Sequence, residues 1–73
     1  MFEKEIFGAR LTKLRAEKGI TTSALGRVIG VSSTQMGDME KGRTTTSMAR
    51  LYMLCQYFGV SADYLLGLKD EEN

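Results

Sequence analysis

Apolar side chains recur at helical spacing in five segments of this chain, and no segment alternates as a strand does. The clearest segment is Ile20–Lys41, in which apolar positions fall at i, i+3 and i+4, pause at a glycine and then resume. This pattern predicts two short helices folded across a tight turn. Their predicted buried positions are Leu25, Val28, Ile29, Met36 and Met39.

The ends of these two helices carry local signals of their own. Thr21 supplies a hydroxyl just ahead of the first helix, and Gly30 lies where helices commonly end in a left-handed residue. Ser32 and Gln35 match the S/T-x-x-E/Q capping box, in which each side chain accepts a hydrogen bond from the other residue's backbone N–H. The second helix therefore has a strong local start.

Three further helices follow from the same spacing. The first spans about Glu3–Lys18 and ends at Gly19, the fourth follows the cap residue Ser47 and ends at Phe58, and the last is Ala62–Leu66. Their predicted apolar positions are Ile6, Phe7, Leu11 and Leu14 in the first, Met48, Leu51, Leu54, Cys55 and Phe58 in the fourth, and Leu65 and Leu66 in the last.

The length of the chain limits it to one domain. At 73 residues, it lies near the size at which a single core gives only marginal stability. We therefore predict an all-α fold, a compact five-helix bundle, with one domain at residues 1–68 and a frayed acidic tail at residues 69–73.

Composition narrows the setting in which the protein works. No run approaches the roughly 20 apolar residues of a membrane span, and the N-terminal MFEKEIFGAR is charged where a secretory signal would be apolar. The single cysteine excludes an internal disulfide. We expect a cytoplasmic protein that does not associate with membranes.

Charge is distributed unevenly although the net charge is only +1. Residues 8–60 carry eight basic and three acidic side chains, a net of +5, whereas residues 61–73 carry one basic and four acidic, a net of −3. A basic body fits binding to a polyanion such as nucleic acid, but on a small domain the asymmetry can also be incidental. Charge alone leaves both readings open.

The residues needed for enzymatic chemistry are largely missing. The chain has no histidine, no glycine-rich phosphate loop and no metal-ligand spacing, and its only cysteine has no adjacent base. We therefore expect no enzyme activity, no cofactor, no metal and no small-molecule substrate.

Four segments between Phe7 and Leu66, namely FGARLTKLRAEKGI, IGVS, MEKGR and LCQYFGVSADYLLG, carry a family resemblance. Their order and spacing resemble the phage-repressor and Cro type of helix-turn-helix domain, also called the XRE type. The resemblance implies that Ile20–Lys41 is the helix-turn-helix. It also implies a sequence-specific transcriptional regulator of the repressor type that binds double-stranded DNA, and such single modules usually act as two-fold homodimers.

The resemblance assigns roles to individual positions. The implied base contacts come from the outer face of the third helix: Ser33, Thr34, Gly37 and Asp38. The implied contacts to the DNA backbone come from Thr22, Gln35, Lys41, Arg43, Thr44 and Ser47. Arg10 and Glu40 match a structural ion pair that joins the first helix to the third.

Some positions depart from the family pattern. Thr22 stands where relatives usually have a longer glutamine, and Gly26 replaces the usual alanine, which weakens its helix by about 1 kcal/mol unless a close backbone approach requires glycine. Asp38 can only accept hydrogen bonds, so its natural base partner is the amino group of cytosine. The face of the third helix that is expected to contact bases thus has no side chain that can donate two hydrogen bonds to one base.

These departures keep a second hypothesis open, in which the chain is a protein-binding module that retains the fold and has lost base reading. Its contact patch would be Tyr52, Met53, Gln56 and Tyr57. The expected dimer surface under the first hypothesis is instead the last helix and the tail, around Tyr64, Leu65 and Leu68.

Overall fold

A computed structural model describes the whole chain, residues 1–73, which folds into five α-helices without a strand. The helices are α1 (Lys4–Lys18), α2 (Thr22–Ile29), α3 (Ser33–Glu40), α4 (Met48–Phe58) and α5 (Ala62–Leu66). The predicted all-α, five-helix fold is confirmed, and α1 begins one residue later than expected. None of these helices combines the length and the apolar character needed to cross a membrane.

Local hydrogen bonds define where the short helices begin. Thr21 Oγ1 accepts from Ala24 N at 3.0 Å. Ser32 Oγ accepts from Gln35 N at 3.1 Å, and Gln35 Oε1 accepts from Ser32 N at 2.9 Å, so the predicted capping box is present. Because an isolated helix of eight residues is unstable in water, these caps and tertiary packing together hold α2 and α3.

The core is built from side chains of all five helices, with α1 packed against α3 and α5, and α4 packed against α2 and α5. It contains Phe7, Leu11, Leu14, Leu25, Ile29, Met36, Met39, Leu54, Val60, Tyr64 and Leu65. Two predicted core residues are exposed instead, Val28 at 38% and Met48 at 85%. Val28 lies at the edge of the face that Leu25 and Ile29 define, and Met48 is the first residue of α4.

Two helical glycines mark places where backbones touch. A Cβ on Gly8 would lie 2.4 Å from the carbonyl oxygen of Met39 and 2.6 Å from that of Glu40, and a Cβ on Gly26 would lie 2.7 Å from that of Val31. The absence of a side chain at Gly8 therefore lets α1 lie directly against the end of α3. Close backbone approach also explains Gly26, whose missing Cβ leaves room for the tight turn after α2 despite the low helix propensity of glycine.

The acidic tail folds back onto the bundle, where we had expected it to fray. Glu72 O accepts from Ser61 N at 2.7 Å, and Glu72 Oε2 lies 3.4 Å from Lys13 Nζ. Arg10 Nη2 lies 3.2 Å from Asp70 Oδ1. The tail is held by ion pairs as well as by this backbone hydrogen bond, because its carboxylates lie beside the basic side chains of α1.

Candidate nucleic-acid interface

One side of α3 is available for contact, since Met36 and Met39 bury the other side in the core. Ser33 and Thr34 are exposed in the first turn, whereas Gly37 is partly covered. The first N–H groups of a helix have no partner within it, so they can donate to phosphate oxygens beside this turn. The structure therefore presents small hydroxyl side chains at a helix N-terminus, as the sequence predicts.

Gln35 is exposed, but its side chain is already engaged. Its Oε1 accepts from Ser32 N in the capping box. The amide NH2 group, with two donors, is what Gln35 retains for a phosphate. Thr22, at the first position of α2, is partly buried and makes no side-chain hydrogen bond to α3. Its hydroxyl does not brace α3, as expected from its short side chain.

Asp38 and Arg43 form an ion pair that sequence reasoning did not anticipate. Arg43 Nη1 lies 3.4 Å from Asp38 Oδ1, and the two side chains are 67% and 39% exposed. In addition, Arg43 N donates to Asp38 O at 2.9 Å. A residue assigned to bases and a residue assigned to the DNA backbone thus form one unit at the edge of α3.

The loop between α3 and α4 runs alongside the outer face of α3. Lys41, Thr44 and Ser47 are exposed on it. Ser47 Oγ accepts from Arg50 N at 3.2 Å as the cap of α4, which leaves the hydroxyl proton to donate elsewhere. A polar groove of about 410 Å³ separates this loop from α3. Its lining residues are Val31, Gln35, Asp38, Met39, Thr44, Thr45, Thr46, Ser47 and Arg50.

The ion pair that fixes α3 to α1 is made by Arg15, so the expected pair between Arg10 and Glu40 is wrong. Arg15 Nε lies 2.7 Å from Glu40 Oε2, and the Glu40 side chain is only 9% exposed. Thr12 Oγ1 lies 3.4 Å from Glu40 Oε1. Residues at i, i+4 and i+7 share a helix face, so Gly8, Thr12 and Arg15 face α3 together. Arg10 lies on a different face of α1 from these three residues.

Arg10 instead holds α5. It donates a hydrogen bond to Tyr64 O, and its guanidinium carbon lies 4.4 Å from the centre of the Tyr64 ring. Tyr64 is buried, as is Leu65. The expected dimer surface therefore loses two of its three residues to the core, and only Leu68 is exposed.

Arg50 is a second structural residue that the sequence did not reveal. Its Nε donates to Ile29 O at 3.0 Å, and its Nη2 lies 3.5 Å from Gly30 O. These carbonyls are the ones that the end of α2 leaves without helical partners. Arg50 thus ties α4 to the turn between α2 and α3, and no signal in the neighbouring sequence indicates this long-range contact.

The patch expected to bind a protein partner is only partly exposed. Tyr52 and Met53 are exposed, and Gln56 Nε2 donates to Tyr52 Oη at 2.8 Å. Tyr57 is partly buried and packs edge-on against Phe58 at 5.1 Å between ring centres. The remaining reactive group, Cys55, packs against the core, and burial raises the pKa of its thiol. It therefore stays protonated near neutral pH.

Comparison with known proteins agrees with the helix-turn-helix geometry of α2 and α3. Residues 6–66 match the family model described as a helix-turn-helix domain. The chain is 32% identical over 68 residues to y4dJ of Sinorhizobium fredii, an uncharacterized HTH-type transcriptional regulator, and this match covers 93% of the chain and 88% of y4dJ. It is 30% identical over 63 residues to the HTH-type transcriptional regulator PrpR of Mycobacterium tuberculosis, covering 86% of the chain but only 13% of PrpR.

A solved structure shares both the fold and part of the sequence. The structure is that of the P22 c2 repressor protein in complex with a synthetic operator. It superposes with a TM-score of 0.79 at 31% identity, covering 84% of this chain and 92% of the repressor chain. The resemblance to the phage-repressor type of helix-turn-helix is thus confirmed.

Proposed function

The chain belongs to the family of helix-turn-helix domains, and from that premise we propose that it is a sequence-specific regulator of transcription that binds double-stranded DNA. In this proposal α3 enters the major groove, with Ser33 and Thr34 at base edges. The small residue Gly37 lets the helix approach the floor of the groove closely. This is the docking mode of helix-turn-helix proteins in general.

This proposal rests on one observation: the first turn of α3 is exposed, and the helix that contains it is fixed at both ends. Its hydroxyl side chains are exposed, its N-terminus is fixed by the capping box, and its C-terminus is fixed by the pair of Glu40 and Arg15. Arg50 fixes the preceding turn. A helix held at both ends can place side chains against bases with little loss of conformational entropy on binding.

The contacts to phosphates are proposed from groups that flank α3. The loop supplies Lys41, Arg43, Thr44 and Ser47, and the starts of α2 and α3 supply Thr22 and the amide of Gln35. Such contacts fix the register of a protein on the duplex and carry no sequence information. The curated relatives, named as transcriptional regulators, favour this function over a module that binds only protein.

Titration with salt on a random DNA duplex tests the function and the role of the loop together. The logarithm of the affinity should fall linearly with the logarithm of salt concentration, with a slope set by the number of phosphates contacted. Lys41→Ala should weaken binding uniformly and reduce the slope by about one. Absence of binding to any duplex at low salt would refute the function, and an unchanged slope in Lys41→Ala would remove Lys41 from the interface.

We further propose that the protein acts as a two-fold dimer through an apolar face made of Met1, Phe2, Met48, Tyr52 and Leu68. These residues are exposed, and they line three adjoining depressions, of which the central one shares Phe2 and Leu66 with one neighbour and Met48 with the other. The domain measures 27 × 22 × 21 Å. Two touching copies can therefore place their α3 helices about 34–36 Å apart, one helical turn of DNA.

Met48→Glu should weaken this dimer at least tenfold in dissociation constant without harming the fold. Met48 is the first residue of α4 and is largely exposed, and a carboxylate in the first turn of a helix is favourable. Met53→Glu is the matched control, because Met53 lies on the same helix outside the apolar face. Sedimentation equilibrium distinguishes the two variants, and equal dissociation constants would place the dimer contact elsewhere.

A further inference from the structure

The ion pair between Asp38 and Arg43 is held in place by the backbone as well as by charge. Gly42 adopts a left-handed conformation at φ +75°, which turns the chain back after α3. Gly42 N donates to Met39 O at 3.1 Å, and Arg43 N donates to Asp38 O at 2.9 Å. The backbone of Arg43 is therefore fixed beside the last turn of α3, and its side chain extends from a point next to this helix.

The direction of the Arg43 side chain follows from its partner. Asp38 is four residues after Thr34, so the two share the outer face of α3. With Nη1 at 3.4 Å from Asp38 Oδ1, the guanidinium lies at that face. A guanidinium has five N–H donors in a planar fork, and this contact uses only part of them. The others remain free on a side chain that is 67% exposed.

Pairing also changes what Asp38 contributes. A lone carboxylate in the major groove would be repelled by the phosphates and could accept only from an amino group. Next to the Arg43 guanidinium, its charge is compensated and its lone pairs orient a donor. The pair as a unit has free N–H donors beside α3, which the side chains of α3 alone do not offer in bidentate form.

We propose that Arg43 reads a guanine in the major groove from beside α3, and that Asp38 is its positioning residue. The fork of Arg43 donates to O6 and N7 of the guanine, the geometry by which arginine distinguishes this base from the other three. This inference rests on the proposed function, since it requires α3 to lie in the groove. It names the base that the protein selects and moves Arg43 from the phosphate contacts to the specificity contacts.

Selection of bound sequences from a random duplex pool tests the assignment of Arg43. The wild-type protein should enrich sequences with one guanine in each half-site, and changing that base pair should weaken wild-type binding about tenfold to hundredfold. Arg43→Ala should abolish the preference at that position only. Lys41→Ala is the matched control, which removes a nearby exposed cation and should leave the selected sequence unchanged.

Replacing the selected guanine by 7-deazaguanine isolates the contact, because this base lacks the N7 acceptor. It should weaken the wild-type protein severalfold and have no further effect on Arg43→Ala. Asp38→Asn should raise affinity for random duplex and lower the guanine preference, and Asp38→Glu should restore part of that preference. A residue with a purely structural role would change both affinities alike.

The outcomes separate this inference from the function on which it rests. If the wild-type protein binds random duplex but no selected guanine depends on Arg43, the inference is overturned and the proposed function stands. If the guanine preference persists in both Asp38 variants, Asp38 has no positioning role. If the protein binds no duplex at all, both the inference and the proposed function fail.

Discussion

Gly8→Ala should lower the free energy of unfolding by about 2–3 kcal/mol, as expected for overpacking in a well-packed interior. The added Cβ would lie 2.4 Å from Met39 O and 2.6 Å from Glu40 O. Both atoms belong to backbone and cannot rotate away, so α1 and α3 must move apart. A domain of this size has only a few kcal/mol of stability, and a large part of it should therefore be lost.

Gly37→Ala is the matched control for this substitution. Gly37 also lies inside a helix, but a Cβ at this position would meet no atom within 4 Å apart from the neighbouring backbone of its own helix. Alanine should stabilise α3 by about 0.5–1 kcal/mol through its higher helix propensity. Urea unfolding followed by circular dichroism measures both variants. Similar free energies of unfolding for the two would show that the contact at Gly8 relaxes without strain.

Structural features that depend on only a few neighbouring residues could be predicted from the sequence. The capping box of Ser32 and Gln35, the cap at Thr21 and the left-handed Gly30 all appear where expected. Each depends on hydrogen bonds or backbone conformations within about four residues, so the local sequence contains nearly all the information. The boundaries of α2 to α5 follow for the same reason.

Contacts between distant segments could not be predicted in the same way. The sequence offers two arginines on α1, and only the packing at Gly8 shows that Arg15, and not Arg10, faces Glu40. The acidic tail was likewise expected to be free because nothing local holds it. Its contacts with Lys13 and Arg10 arise from the position of α1 in the finished bundle.

In the candidate site, too, local features could be predicted and contacts between distant segments could not. The outer face of α3 follows from its apolar positions, because what is not buried must face out, and Ser33 and Thr34 are exposed as expected. The pairing of Asp38 with Arg43 could not be derived, since it depends on the left-handed turn at Gly42 that brings the loop back to the helix.

Ser33→Glu should weaken DNA binding at least tenfold while leaving the fold at least as stable. Ser33 is exposed at the first position of α3, where a carboxylate interacts favourably with the helix dipole by about 0.3–1 kcal/mol. If this turn enters the major groove, the same carboxylate meets the phosphates of both strands. Affinity for a random duplex at about 0.15 M salt should then fall at least tenfold, a change in binding without a loss of stability.

Two controls separate the position of the new charge from its size and its sign. Ser33→Gln introduces a neutral side chain of similar size and should weaken binding less than Ser33→Glu does. Met53→Glu adds the same charge on the exposed surface of α4 and should have a smaller effect at about 0.15 M salt, where exposed charges more than about 8 Å apart are largely screened. Fluorescence anisotropy with a labelled duplex compares the variants. Equal weakening by Ser33→Glu and Met53→Glu would mean that only net charge matters and that α3 does not enter the groove.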